Sequence, residues 1–218
     1  KPQPVSISNI AYNAGSVIWQ IVDIWRASPA FEALLHVKDI AAIAAASVDA
    51  RELRLWHDQI QYKPASEGGV NMWHQDAPYW GSIEPKDQQV TAWVALDDVD
   101  MDNGCMSMVP ESHKWGVAIE TLHGFKNFDA VPSAYQGHPV RVVRCPVPVG
   151  GVHFHHSLTW HGSHANTSGR PRRAIALHFM TERTVRAPTG RHLMDRYITA
   201  APGMPIRDAA FPLLWPAG

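Results

Sequence analysis

The chain is poor in cysteine, in long apolar runs and in surplus charge, and each shortage removes a class of protein. Two cysteines in 218 residues, Cys105 and Cys145, are too few for a disulfide scaffold or a multi-cysteine zinc site. They suit a reducing compartment as inert thiols, so a cytoplasmic protein is expected. No apolar run nears the roughly 20 residues of a membrane-spanning helix; the alanine-rich Ile40–Val48 falls well short. Nineteen basic against twenty acidic side chains leave a formal charge of −1, with no electrostatic basis for nucleic acid or an anionic membrane as partner. No basic segment followed by an apolar one comes after Lys1, so no leader peptide is read. What remains is a globular chain, 45% hydrophobic, of a length that one β-barrel domain commonly reaches. One domain over 1–218 is expected, as a monomer or small homo-oligomer.

Histidine is the abundant residue. There are 13, and His153, His155, His156, His161 and His164 fall within the single stretch Gly151–His164. Imidazole is the commonest metal ligand, which directs attention there, although most histidines in any protein are ordinary core or surface groups.

The first fifty residues read as a helical layer. Val17, Ile18, Ile21, Val22 and Trp25 recur at helical spacing over Ser16–Arg26. Ser28-Pro29 is a suitable start for a second helix to about His36, and Asp39 for a third across Ile40–Ser47. From Arg51 the texture becomes that of short strands separated by turn residues. Expected strands are Glu52–Tyr62, Asn71–Asp76, Gln89–Asp97, Cys105–Val109, Val140–Arg144, Gly151–His156 and Arg173–Thr181, giving a barrel core over 51–183. The tail, 184–218, reads as loop-rich, with Trp215 as an apolar anchor.

His74-Gln75-Asp76 falls in an expected strand, where residues i and i+2 share a face and an imidazole and a carboxylate reach one ion. His161 ends a later segment. Two histidines and one carboxylate leave several positions of a metal open, the arrangement of non-haem Fe(II) oxygenases, whereas structural zinc takes four closed ligands. Arg172, eleven positions beyond His161, offers a fork that pairs with a carboxylate, and 2-oxoglutarate is then a natural co-substrate.

These segments resemble the phytanoyl-CoA dioxygenase family of Fe(II)/2-oxoglutarate-dependent oxygenases. The resemblance runs from about Leu53 to Arg183 and continues weakly to Trp215. It rests on Trp56-His57-Asp58-Gln59, Tyr62-Lys63-Pro64, Trp73-His74-Gln75-Asp76, Thr91-Ala92-Trp93-Val94-Ala95-Leu96-Asp97-Asp98, Asp102-Asn103-Gly104-Cys105 and Val109-Pro110-Glu111-Ser112-His113-Lys114-Trp115-Gly116. It ends in His155-His156-Ser157-Leu158-Thr159-Trp160-His161-Gly162-Ser163, Asn166 and Arg170-Pro171-Arg172-Arg173. The front end departs from the family pattern, with only a shortened helical portion before these blocks.

The resemblance implies a mainly β fold, a double-stranded β-helix (jelly roll) with helices packed on one sheet. It implies Fe(II) held by His74, Asp76 and His161, and 2-oxoglutarate held by Arg172 with Ser163, Trp93 and Gln61. It places Trp80 at a small-molecule substrate; alternation along one strand turns His57 and Gln59 toward the same interior as Gln61, and they are expected at the substrate too, with His155, for which core packing is the competing role. Trp115 and Trp160 border loops near the mouth and could either pack or bind. The implied reaction consumes O2 and 2-oxoglutarate, releases succinate and CO2, and hydroxylates an unactivated C–H bond, with ascorbate as an auxiliary reductant. Retention of Asp76 favours hydroxylation over halogenation, which in relatives needs that ligand removed. Two rivals stand beside this reading: a catalytically silent jelly roll that binds the metal and 2-oxoglutarate, and a zinc-dependent hydrolase on the same triad.

Overall fold

A computed structural model describes residues 3–10 and 15–216; Lys1, where the leader reading begins, lies outside them. The chain opens with β1 (Ser6–Asn9) and β2 (Trp19–Val22), then α1 (Pro29–Leu35) and α2 (Lys38–Ser47). There follow β3 (Leu53–Lys63), β4 (Asn71–His74), β5 (Ile83–Glu84), β6 (Gln89–Ala95) and β7 (Met106–Met108). After α3 (Ile119–His123) come β8 (Ala134–Tyr135), β9 (His138–Pro139), β10 (Val143–Cys145), β11 (Val152–His156) and β12 (His161–Ser163). Last are β13 (Arg172–Thr181), β14 (Val185–Arg186) and β15 (Leu213–Trp215).

The strands build a double-stranded β-helix from a major sheet, β1-β2-β3-β13-β6-β11 with β15 also on β3, and a minor sheet, β10-β7-β12-β4. All of their pairings are antiparallel. The outer face of the major sheet is aliphatic. Ile60, Ile175 and Val94 align across β3, β13 and β6, and Leu177 lies beside Ala92. These residues bury against Leu35 of α1 and Ile40, Ala41, Ala44 and Ala45 of α2. Alanines at the contact let α2 lie close to the sheet, and each large aliphatic side chain fully removed from water contributes about 1.5–3 kcal/mol.

Alternation turns the intervening residues inward, and the register sorts them into rows. One row runs His57, His178, Thr91, His155 across β3, β13, β6 and β11, and the next runs Gln59, Ala176, Trp93, His153. A third sets Gln61 opposite Ala174, and a fourth Lys63 opposite Arg172. The two alanines are fully buried and pack with Trp93, Cys105 and Met106.

Three local expectations are corrected. Ser16–Arg26 is not a helix: β2 pairs with β3, and Asp23, in the left-handed region at φ 57°, leads into a short 3-10 turn at Ile24–Arg26. Branched Val17, Ile18, Ile21 and Val22 suit a strand, and apolar residues at inward as well as outward positions imitate helical spacing. Among the described residues of the first fifty, α-helix is therefore confined to α1 and α2, and α2 starts at Lys38 rather than from an Asp39 cap. The tail contributes β15 to the major sheet, with Trp215 packed against the aliphatic core as its expected anchor role requires. No helix of the described residues is long and apolar enough to cross a membrane.

Candidate metal and co-substrate site

Pairing of β12 with β4 sets His161 directly opposite His74. Asp76 reaches them from outside the strand that the sequence suggests. Its backbone is helical (φ −72°, ψ −50°) and leads into the 3-10 turn Ala77–Tyr79. Bonds from the N–H groups of Asp76 and Ala77 to the Ser157 carbonyl (3.0 and 3.1 Å) fasten that turn. Gln75, between the two candidate ligands, points away and is buried, donating to the carbonyls of Gly116 and Leu158 and accepting from Ala118 N–H.

Each triad histidine has a fixed tautomer. Nδ1–H of His74 donates to Met72 O (2.7 Å), and Nδ1–H of His161 to Thr159 O (2.9 Å). Both Nε2 lone pairs then face Asp76 Oδ1, at 3.8 and 3.4 Å, and the three ligand atoms lie within 4.8 Å of one another. Lone pairs converging on a carboxylate require a positive charge between them, so the donor set fits a divalent cation. The titration behaviour shows the same demand. Burial pushes His161 down, yet Asp76 outweighs it and the net shift is upward, while burial and His161 push His74 down to about 3. Burial disfavours ionised Asp76, but the surrounding histidines hold its carboxyl well below the ordinary range.

Asp76 Oδ2 faces the other way. It accepts from Thr91 Oγ1 (3.1 Å) and His155 Nε2 (3.2 Å), both from the first inward row. His155 is thus behind the carboxylate and does not line the substrate-sized cavity, which corrects its expected place at the substrate. His178 Nδ1 reaches the Thr91 hydroxyl at 2.8 Å.

A second feature lies on the same interior. Arg172 is 2% exposed, its Nε has no hydrogen-bond partner, and among the described residues no carboxylate ion-pairs with it. Its guanidinium sits 5.4 Å from the Trp93 ring centre. Beside it Lys63, fully buried, donates to Ser163 Oγ (2.7 Å) and to the carbonyls of Ser163 and His164. Burial lowers Arg172 to about 10, and burial and Arg172 together push Lys63 well down. Two buried cations without an anion cost free energy that a bound dicarboxylate would offset. Trp93 Nε1 donates to Gln61 Oε1 (3.1 Å), and His153, with both ring nitrogens buried and unpartnered, stacks on Trp93 at 4.9 Å.

A cavity of about 560 Å³ opens beside the triad. His57, Gln59, Gln61 and Trp80 line it, together with His74 and Asp76. Trp160 is fully buried, and neither it nor Trp115 lines the cavity; they pack with Tyr135, the packing role of the two left open for them. The sequence reading missed Lys63, Thr91, His178 and His192. Lys63 and Thr91 lay inside segments already singled out, and His178 is six positions after Arg172, on its strand face.

The sequence model "Phytanoyl-CoA dioxygenase (PhyH)" matches residues 22–174. Phytanoyl-CoA dioxygenase domain-containing protein 1 of Danio rerio is 33% identical over 132 residues, 58% of this chain and 45% of that protein. The chain spans about half the length of such curated relatives. Among solved structures, SnoN, described as a non-heme alpha ketoglutarate dependent epimerase from nogalamycin biosynthesis, is 28% identical with a TM-score of 0.78, covering 96% of this chain and 82% of its own. SnoK, described as a carbocyclase of the same type, is 28% identical with a TM-score of 0.77, covering 96% and 81%. SnoN has also been crystallised with Fe3+, alpha ketoglutarate and nogalamycin RO.

Proposed function

Because the chain belongs to the phytanoyl-CoA dioxygenase family, we propose that it is a non-haem Fe(II)- and 2-oxoglutarate-dependent dioxygenase acting on a small molecule. The observation that carries the reading is the pair of buried cations, Arg172 and Lys63, which have no acidic partner among the described residues and lie on the interior that also holds the His74–Asp76–His161 triad. A hydrolase has no use for such a dicarboxylate seat.

In this reading His74 Nε2, Asp76 Oδ1 and His161 Nε2 hold Fe(II). The Arg172 fork takes the far carboxylate of 2-oxoglutarate, Lys63 adds a second positive charge, and the Ser163 hydroxyl orients it. Trp93 and Gln61, joined by their hydrogen bond, form a wall of the co-substrate seat. Iron with O2 and 2-oxoglutarate supplies the oxidising power to remove hydrogen from an unactivated C–H bond, giving succinate and CO2. The chain supplies placement and exclusion of water. Asp76 occupies the ligand position that halogenation leaves vacant, so hydroxylation is the preferred outcome. We assign residues 1–218 to one catalytic domain.

A second outcome is favoured by the likeness to SnoN and SnoK over nearly all of the chain: epimerisation or ring closure at the same carbon. The test is succinate formation by anaerobically loaded Fe(II) protein with O2, 2-oxoglutarate, ascorbate and a small-molecule library, with Asp76→Ala as control. Product mass separates the outcomes: a gain of one oxygen, no change, or a loss of two hydrogens. Bound iron without succinate under any compound would favour the silent binder, and native zinc with hydrolytic activity would favour the hydrolase.

A further inference from the structure

The cavity beside the triad carries almost no charge. Of its 20 lining residues among those described, Asp76 is the only Asp, Glu, Lys or Arg. Its other polar side chains are imidazoles, amides, the Tyr79 hydroxyl and two indoles, and its walls include Trp80, Tyr79 and Phe125. A buried carboxylate, phosphate or ammonium would find no counter-charge there, and an unpaired buried ion is costly. Asp76 offers none either once its charge faces a metal.

Within this lining His178 has a defined donor and acceptor. The Thr91 hydroxyl carries one hydrogen and donates it to Asp76 Oδ2, which accepts only. Thr91 Oγ1 must then accept from His178 Nδ1–H at 2.8 Å. His178 Nε2 is left as a lone pair, and the side chain lines the cavity. The ring cannot easily exchange its nitrogens. His57 packs against it at 4.7 Å, and Trp80 meets it edge-on at 5.0 Å.

We propose that His178 is a specificity-determining residue, whose Nε2 accepts a hydrogen bond from a hydroxyl group of an uncharged, ring-bearing substrate and so sets which carbon faces the metal. The inference rests on the oxygenase reading and names its substrate class. An acceptor joined through Thr91 to Asp76 ties the substrate hydroxyl to the frame of the metal site. Aromatic walls supply the apolar contact, and the absence of Lys or Arg excludes a polyphosphate-bearing thioester from the cavity itself.

The test uses protein loaded with Mn(II) and 2-oxoglutarate under argon, and equal numbers of neutral hydroxylated, anionic and cationic bicyclic to tetracyclic compounds. The set includes 2-naphthol, its methyl ether and 2-naphthoate, scored by ligand-observed NMR. Binders are expected to concentrate among the neutral hydroxylated compounds, with methyl ethers about ten- to a hundredfold weaker, the scale of one unsatisfied buried acceptor. His178→Phe should abolish the hydroxyl-over-ether preference and His178→Gln should restore part of it. His155→Phe, which removes the other bond to Asp76 Oδ2 and leaves both the Thr91–His178 bond and the cavity lining in place, controls for disturbance of Asp76 and should keep the preference. Binders mainly among anions or cations, no binder of any class, or an unchanged preference in His178→Phe would each overturn the inference. Mn(II) and 2-oxoglutarate binding, measured by calorimetry on the same samples, separates this from failure of the oxygenase reading, which their absence in the wild-type protein would signal.

Discussion

His155 Nε2 lies 3.2 Å from Asp76 Oδ2, the oxygen turned away from the two triad histidines. Because a carboxylate only accepts, Nε2 carries the proton, and the opposite ring nitrogen, Nδ1, is buried without a partner. The imidazole thus fixes Asp76 so that Oδ1 alone faces His74 and His161. His155→Phe should keep the fold and weaken divalent metal binding about 10- to 100-fold, the usual effect of removing a partner that orients a ligand. Asp76→Ala should remove it. Calorimetric titration with Mn(II) checks both, and unaltered affinity in His155→Phe would mean that Thr91 suffices to hold the carboxylate.

Arg172 and Lys63 should differ in what their removal does. Arg172→Ala removes the fork and leaves Lys63 nearby, so 2-oxoglutarate should bind at least a hundredfold more weakly; breaking a buried charged pair costs about 3–5 kcal/mol. Lys63→Met also loses the bond that holds Ser163, and a combined loss of co-substrate affinity and thermal stability is expected. Metal binding should persist in both variants. Titration of 2-oxoglutarate into the Mn(II)-loaded protein, monitored calorimetrically, measures the difference.

The outer face of the major sheet carries a titrating group of its own. Asp58 is fully buried, accepts from Ile24 N–H (2.8 Å) and Trp25 N–H (3.0 Å), and is raised to about 7 by burial and by Asp23. A folded value above the ordinary 3.8 means that the folded state holds this proton more tightly than the unfolded chain. The stability it contributes is present in full below about pH 4 and is lost as pH rises through 7, on the order of 2–4 kcal/mol. Asp58→Asn should be less stable at pH 5 and show a flatter decline to pH 8. Urea unfolding across that range checks it, and parallel slopes for the two proteins would remove Asp58 as the cause.

Gly190 sits at φ +106°, where a Cβ would lie 2.1 Å from the Gly81 carbonyl oxygen. Both backbones are in contact, and neither neighbour is a movable side chain. Gly190→Ala should therefore cost several kcal/mol, combining backbone strain of about 1–3 kcal/mol with the clash. It should also displace the adjacent segment that carries His192 and Leu193 into the cavity. Thermal unfolding and the binding of cavity ligands should both change; a variant with wild-type melting would show that the two loops separate freely.

The sequence by itself determined seven of the barrel's strands, β3, β4, β6, β7, β10, β11 and β13, to within a few residues, along with the pairing of a His-x-Asp with a later histidine and the arginine beyond it. Those features depend on short spacings, on alternation and on turn residues, all of which are local. It misassigned Ser16–Arg26 because a strand with apolar residues on both faces loses its two-residue period. Asp76 was read in a strand because two residues of separation say nothing about a helical backbone turn between them. His155 and His178 were beyond local reading for a different reason. Their positions follow from register across β3, β13, β6 and β11, which aligns His57, His178, Thr91 and His155 from segments up to 121 positions apart in one inward row. Only the tertiary structure decides which histidine stands behind the carboxylate and which faces the cavity. That choice is made by hydrogen-bond geometry between strands distant in the chain, and no single segment contains it.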